Sequence, residues 1–188
     1  MLINHMQTDT DKQLNIWFSP WGYTHNSWVK DSIFANSSEH ELQSGYIPWC
    51  RHIGIAYEFS HYHHEWLNKY WIENNILLRA INLLGSMLYK QKDGLSSTNE
   101  LRWMQQTALA RPIILTKSVK FTSNFEAGTN LLYQVLQCYC PNIWTRFLLQ
   151  LPKHDVQNVH IYTEPLLNGK MILIIEKLWD MILKKITT

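Results

Sequence analysis

The sequence predicts an all-α protein: a single compact domain of about seven to nine mostly short helices, entered through an irregular aromatic-rich segment. Three observations carry that expectation. Apolar residues recur at helical spacing in at least four separate stretches. Those stretches are bounded by cap residues and prolines. No alternating strand–turn–strand pattern recurs between them. A chain of 188 residues, set against ~150 per domain, favours one domain, and its 46% apolar content suffices for a core.

Residues 1–15 are polar and without periodicity, so a flexible tail is expected, with the helical domain spanning 16–188. Ile16 to Tyr23 form an aromatic cluster in which Pro20 and Gly22 oppose a regular helix. His25–Phe34 is expected as a short helix with Trp28, Val29 and Ile33 inward. Asn36-Ser37-Ser38 with Glu39 and Glu41 reads as a cap and first turn that Gly45 ends, and Pro48 permits the next start, with Trp49 and Ile53 apolar. From Ser60 a helix should present Trp66, Leu67, Tyr70 and Trp71. Asn74-Asn75 could break it before Leu77, Ala80, Ile81, Leu84 and Leu88 continue the spacing.

Lys90 to Gly94 reads as a turn, and Ser97-Thr98-Asn99-Glu100 as a capping box opening a helix that Pro112 closes. Ile113–Phe121 is rich in β-formers but has no partner strand, so an extended connector or short helix is expected. Ser123 and Glu126 repeat the capping-box spacing ahead of Leu132, Val135, Leu136 and Tyr139, with an end near Pro141. Ile143, Trp144, Phe147, Leu148 and Leu151 make the next helix, stopped by Pro152. Residues 153–163 read as polar loop. Pro165 suits a first helical turn, and Leu167 to Ile182 form a final amphipathic helix with Lys184 and Lys185 at its negative end.

The remaining chemistry is mostly exclusion. Seventeen Lys and Arg against fifteen Asp and Glu give a net charge of +2, and the adjacent basic pair Lys184-Lys185 makes no stripe, so nucleic-acid binding is not expected. Three cysteines fit no disulfide framework, which suggests a reducing, cytoplasmic setting. No signal peptide or membrane span is expected: Glu176, Lys177 and Asp180 interrupt the apolar run at Met171–Ile175. Cys138-x-Cys140 lacks a second pair for zinc. His61, His64 and Glu65 could share one helix face and hold a metal, the basis of an alternative reading as a metal-binding protein or metal-dependent enzyme. His64-Glu65, however, is followed by Asn68, not by the histidine the zinc-protease pattern needs. Phosphate loops and nucleophile elbows are absent, so no catalytic residue and no cofactor is expected.

What remains is surface. Nine tryptophans are hard to enclose fully in a chain of this size, and Trp, Tyr and Arg dominate interface hot spots. The candidate partner-binding residues are therefore Trp17, Phe18, Trp21, Tyr23 and Trp28, beside the flexible tail; whether they form core or contact surface is open at this level. The stretch Phe18-Ser19-Pro20-Trp21-Gly22-Tyr23-Thr24-His25 resembles the early Phe-x-Pro-x-x-Tyr-x-His stretch of the SctK family of type III secretion sorting-platform proteins. Trp144 to Pro152 is similar to that family's Trp-, Arg- and Leu-bearing segment ending in Leu-Pro, with Phe147 for a usual Leu and Gln150 where a basic residue often stands. Ala80 to Gly85 resembles its Leu- and Gly-containing helix. The resemblance spans roughly residues 16–152, in patches. It implies a non-enzymatic adaptor at the cytoplasmic face of the inner membrane, linking the cytoplasmic domain of the inner-membrane ring protein to the C-ring-like pod protein. Through the pod it would connect to stator and ATPase, and it would touch the membrane through protein contacts only. The family offers no catalytic residues to carry over.

Overall fold

A computed structural model describes residues 14–30, 32–57, 69–89 and 97–187. Its α-helices are α1 (Glu39–Ser44), α2 (Tyr46–Ile53), α3 (Asn74–Gly85), α4 (Thr98–Ala110), α5 (Asn124–Tyr139), α6 (Trp144–Leu148), α7 (Lys153–Gln157) and α8 (Gly169–Ile186). Residues 14–18 and 69–70 are also helical, and no strand occurs among the described residues. The fold is all-α. The chain divides into two compact units, the first from Met1–Ile72 with Asn142–Gln157, the second from Glu73–Pro141 with Asn158–Thr188.

In the first unit the cap expected within Asn36-Ser37-Ser38 falls at Ser38, which forms a complete capping box with Glu41, and Gly45 ends α1. In α2, Trp49 and Cys50 are fully enclosed, and with Ile55 and Leu149 they form a small core against which Trp21, Tyr23, Trp28, Phe34 and Leu42 pack. The helix expected over His25–Phe34 does not form. A single 3-10 turn, Asn26–Trp28, is followed by bends, and Ile33 is 83% exposed rather than inward. Local side chains take the backbone groups an α-helix would use: His25 Nδ1 accepts from the Ser27 amide, and Ser32 Oγ donates to Val29 O and accepts from Phe34 N.

Residues 153–163 hold more order than a loop. The Asp155 and Val156 amides donate to Pro152 O, and the Lys153 amide donates to Ser27 Oγ, a long-range partner that starts α7. In α6 the ring of Trp144 is nearly buried and stacks on Phe147 at 5.6 Å. Replacing Trp144 by alanine should therefore cost about 3 kcal/mol, read as a lowered midpoint in thermal unfolding. An unchanged midpoint would contradict the packing.

In the second unit α3 and α5 cross at two glycines. A Cβ on Gly85 would sit 1.8 Å from Asn124 O, and one on Gly128 2.0 Å from Ile81 O. Leu77, Ile81, Leu84, Leu131, Leu132 and Val135 are buried along these helices, and α8 packs against both through Ile175, Leu178, Trp179 and Ile182. Asn74-Asn75 is the start of α3, not a break, with Glu73 as its cap, and the helix stops at Gly85, leaving Leu88 half-buried in a turn. Most of the helix expected from Ser60, and the turn at Lys90–Gly94, lie outside the described residues. The capping box at Ser97 is present. Burial works against the Glu100 charge, but the Ser97 amide and hydroxyl and the Arg79 guanidinium outweigh it and hold the carboxyl below its ordinary value.

Arg111 leaves the helical region ahead of Pro112, and residues 112–121 run as a connector without regular structure. Ser123 caps α5, yet the Glu126 carboxylate reaches past it to the amide and hydroxyl of Thr122. Pro165 does not begin a helix. Its neighbourhood is held extended: Gln134 accepts from Leu166 N and donates to Tyr162 O and Glu164 O, while Thr116 Oγ1 donates to Pro165 O. The last helix starts at Gly169, four residues on, where Asn168 accepts from Met171 N. Lys184 and Lys185 occupy its last turn as expected.

Candidate functional site: an aromatic surface over a buried arginine

The five candidate residues lie in the first unit but do not share one environment. Trp17 is buried, Trp21, Tyr23 and Trp28 are half-buried, and Phe18 is 45% exposed. Consecutive residues of the helical turn at 14–18 point about 100° apart around its axis, and here Trp17 falls on the buried side and Phe18 on the exposed one. Trp21 meets Trp49 edge-on at 6.1 Å, and Tyr23 meets Trp71 edge-on at 4.9 Å. Trp28 donates its indole N–H to Leu151 O at 2.8 Å, with the Lys153 ammonium 5.8 Å from its ring. Most of the cluster is therefore core, and its outward element is Phe18.

The organising group is the arginine of the Trp144–Pro152 segment, to which the sequence assigns no role. The Arg146 side chain is completely buried, its guanidinium 4.2 Å from the centre of the Trp17 ring. Nη1 donates to Ile16 O at 3.3 Å and to Trp17 O at 3.0 Å. Nη2 donates to the Tyr46 hydroxyl at 3.0 Å and to Ala56 O at 2.6 Å. The planar fork thus joins three chain segments that are distant in sequence. Two tyrosines complete the network: Tyr23 donates to Ile16 O at 2.7 Å, and Tyr46 is within hydrogen-bond distance of Trp17 O and Tyr57 O. Burial raises both phenols above their ordinary value, so both remain protonated donors near neutral pH.

Above this frame lies an apolar, aromatic surface. Phe18 and Tyr46 have ring centres 5.9 Å apart, Ile47 and Tyr57 are exposed nearby in sequence, and the Arg51 guanidinium lies 5.8 Å from the Tyr57 ring. Tyr46, Ile47, Tyr57 and Arg146 were not among the sequence candidates. The available signal for Arg146 was a charged residue set between Trp144 and Phe147 in an otherwise apolar run.

Of the metal alternative, His61, His64 and Glu65 lie outside the described residues. Among the described residues no cluster of His, Cys, Asp or Glu has the makings of a metal site. Cys138 is exposed and Cys140 buried, and burial pushes the Cys140 thiol up to about 11, far from the thiolate a metal or a nucleophilic reaction requires. No helix among the described residues is long and apolar enough to cross a membrane. No family model, curated protein or solved structure matches the chain.

Proposed function

We propose that the protein is a non-enzymatic docking adaptor of a type III secretion sorting platform. It would link the cytoplasmic domain of the inner-membrane ring protein to the C-ring-like pod protein at the cytoplasmic face of the inner membrane, and through the pod it would connect to stator and ATPase. The observation that supports the reading is where the two resembling segments meet. Residues 18–28 and 144–152 are more than a hundred positions apart, yet they are joined by His25 N to Leu149 O at 2.7 Å and by Trp28 to Leu151, and residues flanking them add Arg146 to Ile16 and Trp17 and Lys153 N to Ser27 Oγ at 2.9 Å. Residue types that recur together in a divergent family are explained if they form one frame. That frame presents Phe18 and Tyr57 outward, with the half-buried Tyr46 beside Phe18, as the contact surface.

The test is co-purification with the two cognate proteins of the same secretion system. Phe18→Ala should weaken binding tenfold or more while leaving the thermal midpoint unchanged, because the ring is half outside the fold and an interface aromatic contributes ~2 kcal/mol or more. Trp21→Ala is the poorer probe, since that ring packs on Trp49 and its loss disturbs the core. Failure to bind either protein would end the adaptor reading.

A further inference from the structure

We infer that the outer face of α8, in the second unit, docks on an anionic bilayer surface. The buried face of this helix is set by Met171, Ile175, Leu178 and Ile182. Opposite it, Lys170, Lys177 and Lys184 are exposed and fall at spacings of seven residues, two turns apart, on one stripe. Leu173 stands 52% exposed on the same side, between the first two lysines. The acids on the helix are Asp180, exposed, and Glu176, half-buried, so its outer face carries an excess of positive charge.

A second element lies against the flank of this helix. The connector after α4 is pinned to α8 by the Arg111 guanidinium on Met181 Sδ and by Ile114 N on Met171 Sδ, each at 3.4 Å. Another cation, Arg111, and another exposed aliphatic, Ile114 at 63%, are thereby held on the flank of α8 marked by Met181 and Met171. Leu109, 83% exposed, precedes Arg111 by two residues.

The pattern decides the occupant. A protein interface centres on a contiguous, desolvated apolar cluster, whereas here single aliphatics stand apart with cations among them. That arrangement suits headgroup depth, where each aliphatic enters the acyl boundary separately and each cation sits among phosphates. A nucleic acid would use the cations and leave the aliphatics without a role. The inference goes beyond the adaptor reading, in which the membrane is approached only through proteins, and it does not depend on that reading.

The experiment is sedimentation of the full chain with vesicles of phosphatidylcholine, with and without phosphatidylglycerol. Binding is expected only to the anionic vesicles, and it should weaken as salt is raised. Lys170→Gln with Lys177→Gln should reduce it by about thirtyfold, near fivefold for each lysine. Leu173→Ser with Leu109→Ser should reduce it severalfold at constant charge. No binding to the anionic vesicles, or binding indifferent to the lysine pair, would overturn the proposal. So would binding that is insensitive to the leucine pair and matched by soluble polyglutamate, which would assign the face to an acidic polymer instead.

Discussion

Arg146→Ala should destabilise the protein by on the order of 5 kcal/mol, the largest effect expected of any single side-chain truncation in the first unit. Hydrogen bonds from a charged donor contribute about 1.5–3 kcal/mol each, and a desolvated cation–π contact about 2. The losses are unequal. Ile16 O keeps the Tyr23 hydroxyl and Trp17 O keeps that of Tyr46, whereas Ala56 O loses the 2.6 Å bond from Nη2 and the Trp17 ring loses its cation. The cavity left between the segments adds to the cost. Urea unfolding followed by tryptophan fluorescence reads this directly. Arg146→Lys keeps the charge but cannot fork, so it should lose roughly half as much. A loss below about 1 kcal/mol for the alanine variant would mean that the guanidinium is not what holds the three segments. The binding surface should fail along with the frame, which is why Phe18, not Arg146, is the residue that separates docking from folding.

The second large effect belongs to the helix crossing. A methyl at Gly85 would lie 1.8 Å from Asn124 O and 2.6 Å from Gly128 N. Both are backbone atoms, so no flexible side chain can yield. The helices must separate by about 1.5 Å to restore normal contact, and a gap of that size forfeits half or more of each dispersion contact across the seam. Alanine gains about 1 kcal/mol over glycine in a helix interior, but here the overpacking outweighs it. Gly85→Ala should cost about 3 kcal/mol and Gly85→Val about 4 or more. Gly128→Ala meets Ile81 O at 2.0 Å and should behave alike. Both substitutions are relieved by the same separation of α3 and α5, so the double variant should cost clearly less than the sum of the singles. Strict additivity in chemical denaturation would show that the two glycines do not share one seam.

Local signals were legible in the residues themselves. Capping at Ser38, Ser97 and Ser123, the stop before Pro112 and the end of α5 ahead of Pro141 need only neighbours a few positions away. The all-α class follows from periodicity for the same reason: a helix satisfies its backbone within its own segment. The failures share a different cause. The spacing over His25–Phe34 predicts a helix, but Ser27 is engaged by Lys153, 126 residues away, and the Ser32 hydroxyl takes up the Val29 carbonyl and the Phe34 amide. Pro165 predicts a helix start, but Gln134 and Thr116 fasten that stretch in an extended form.

The same division runs through the candidate site. Sequence alone determined that Trp17, Phe18, Trp21, Tyr23 and Trp28 form an aromatic concentration next to a proline and a glycine. It could not determine which ring faces outward, because neighbouring residues of one helical turn differ in environment only through what packs on them. The tertiary structure decided that Trp17 lies under a buried arginine from α6 and that Phe18 does not. Arg146 could not be found from its own neighbours, since its partners are backbone carbonyls and a phenol, groups that leave no charge pattern in a sequence. Nor could the closeness of α3 and α5 be read from Gly85 and Gly128, which are ordinary glycines until two backbones approach within the space of one methyl.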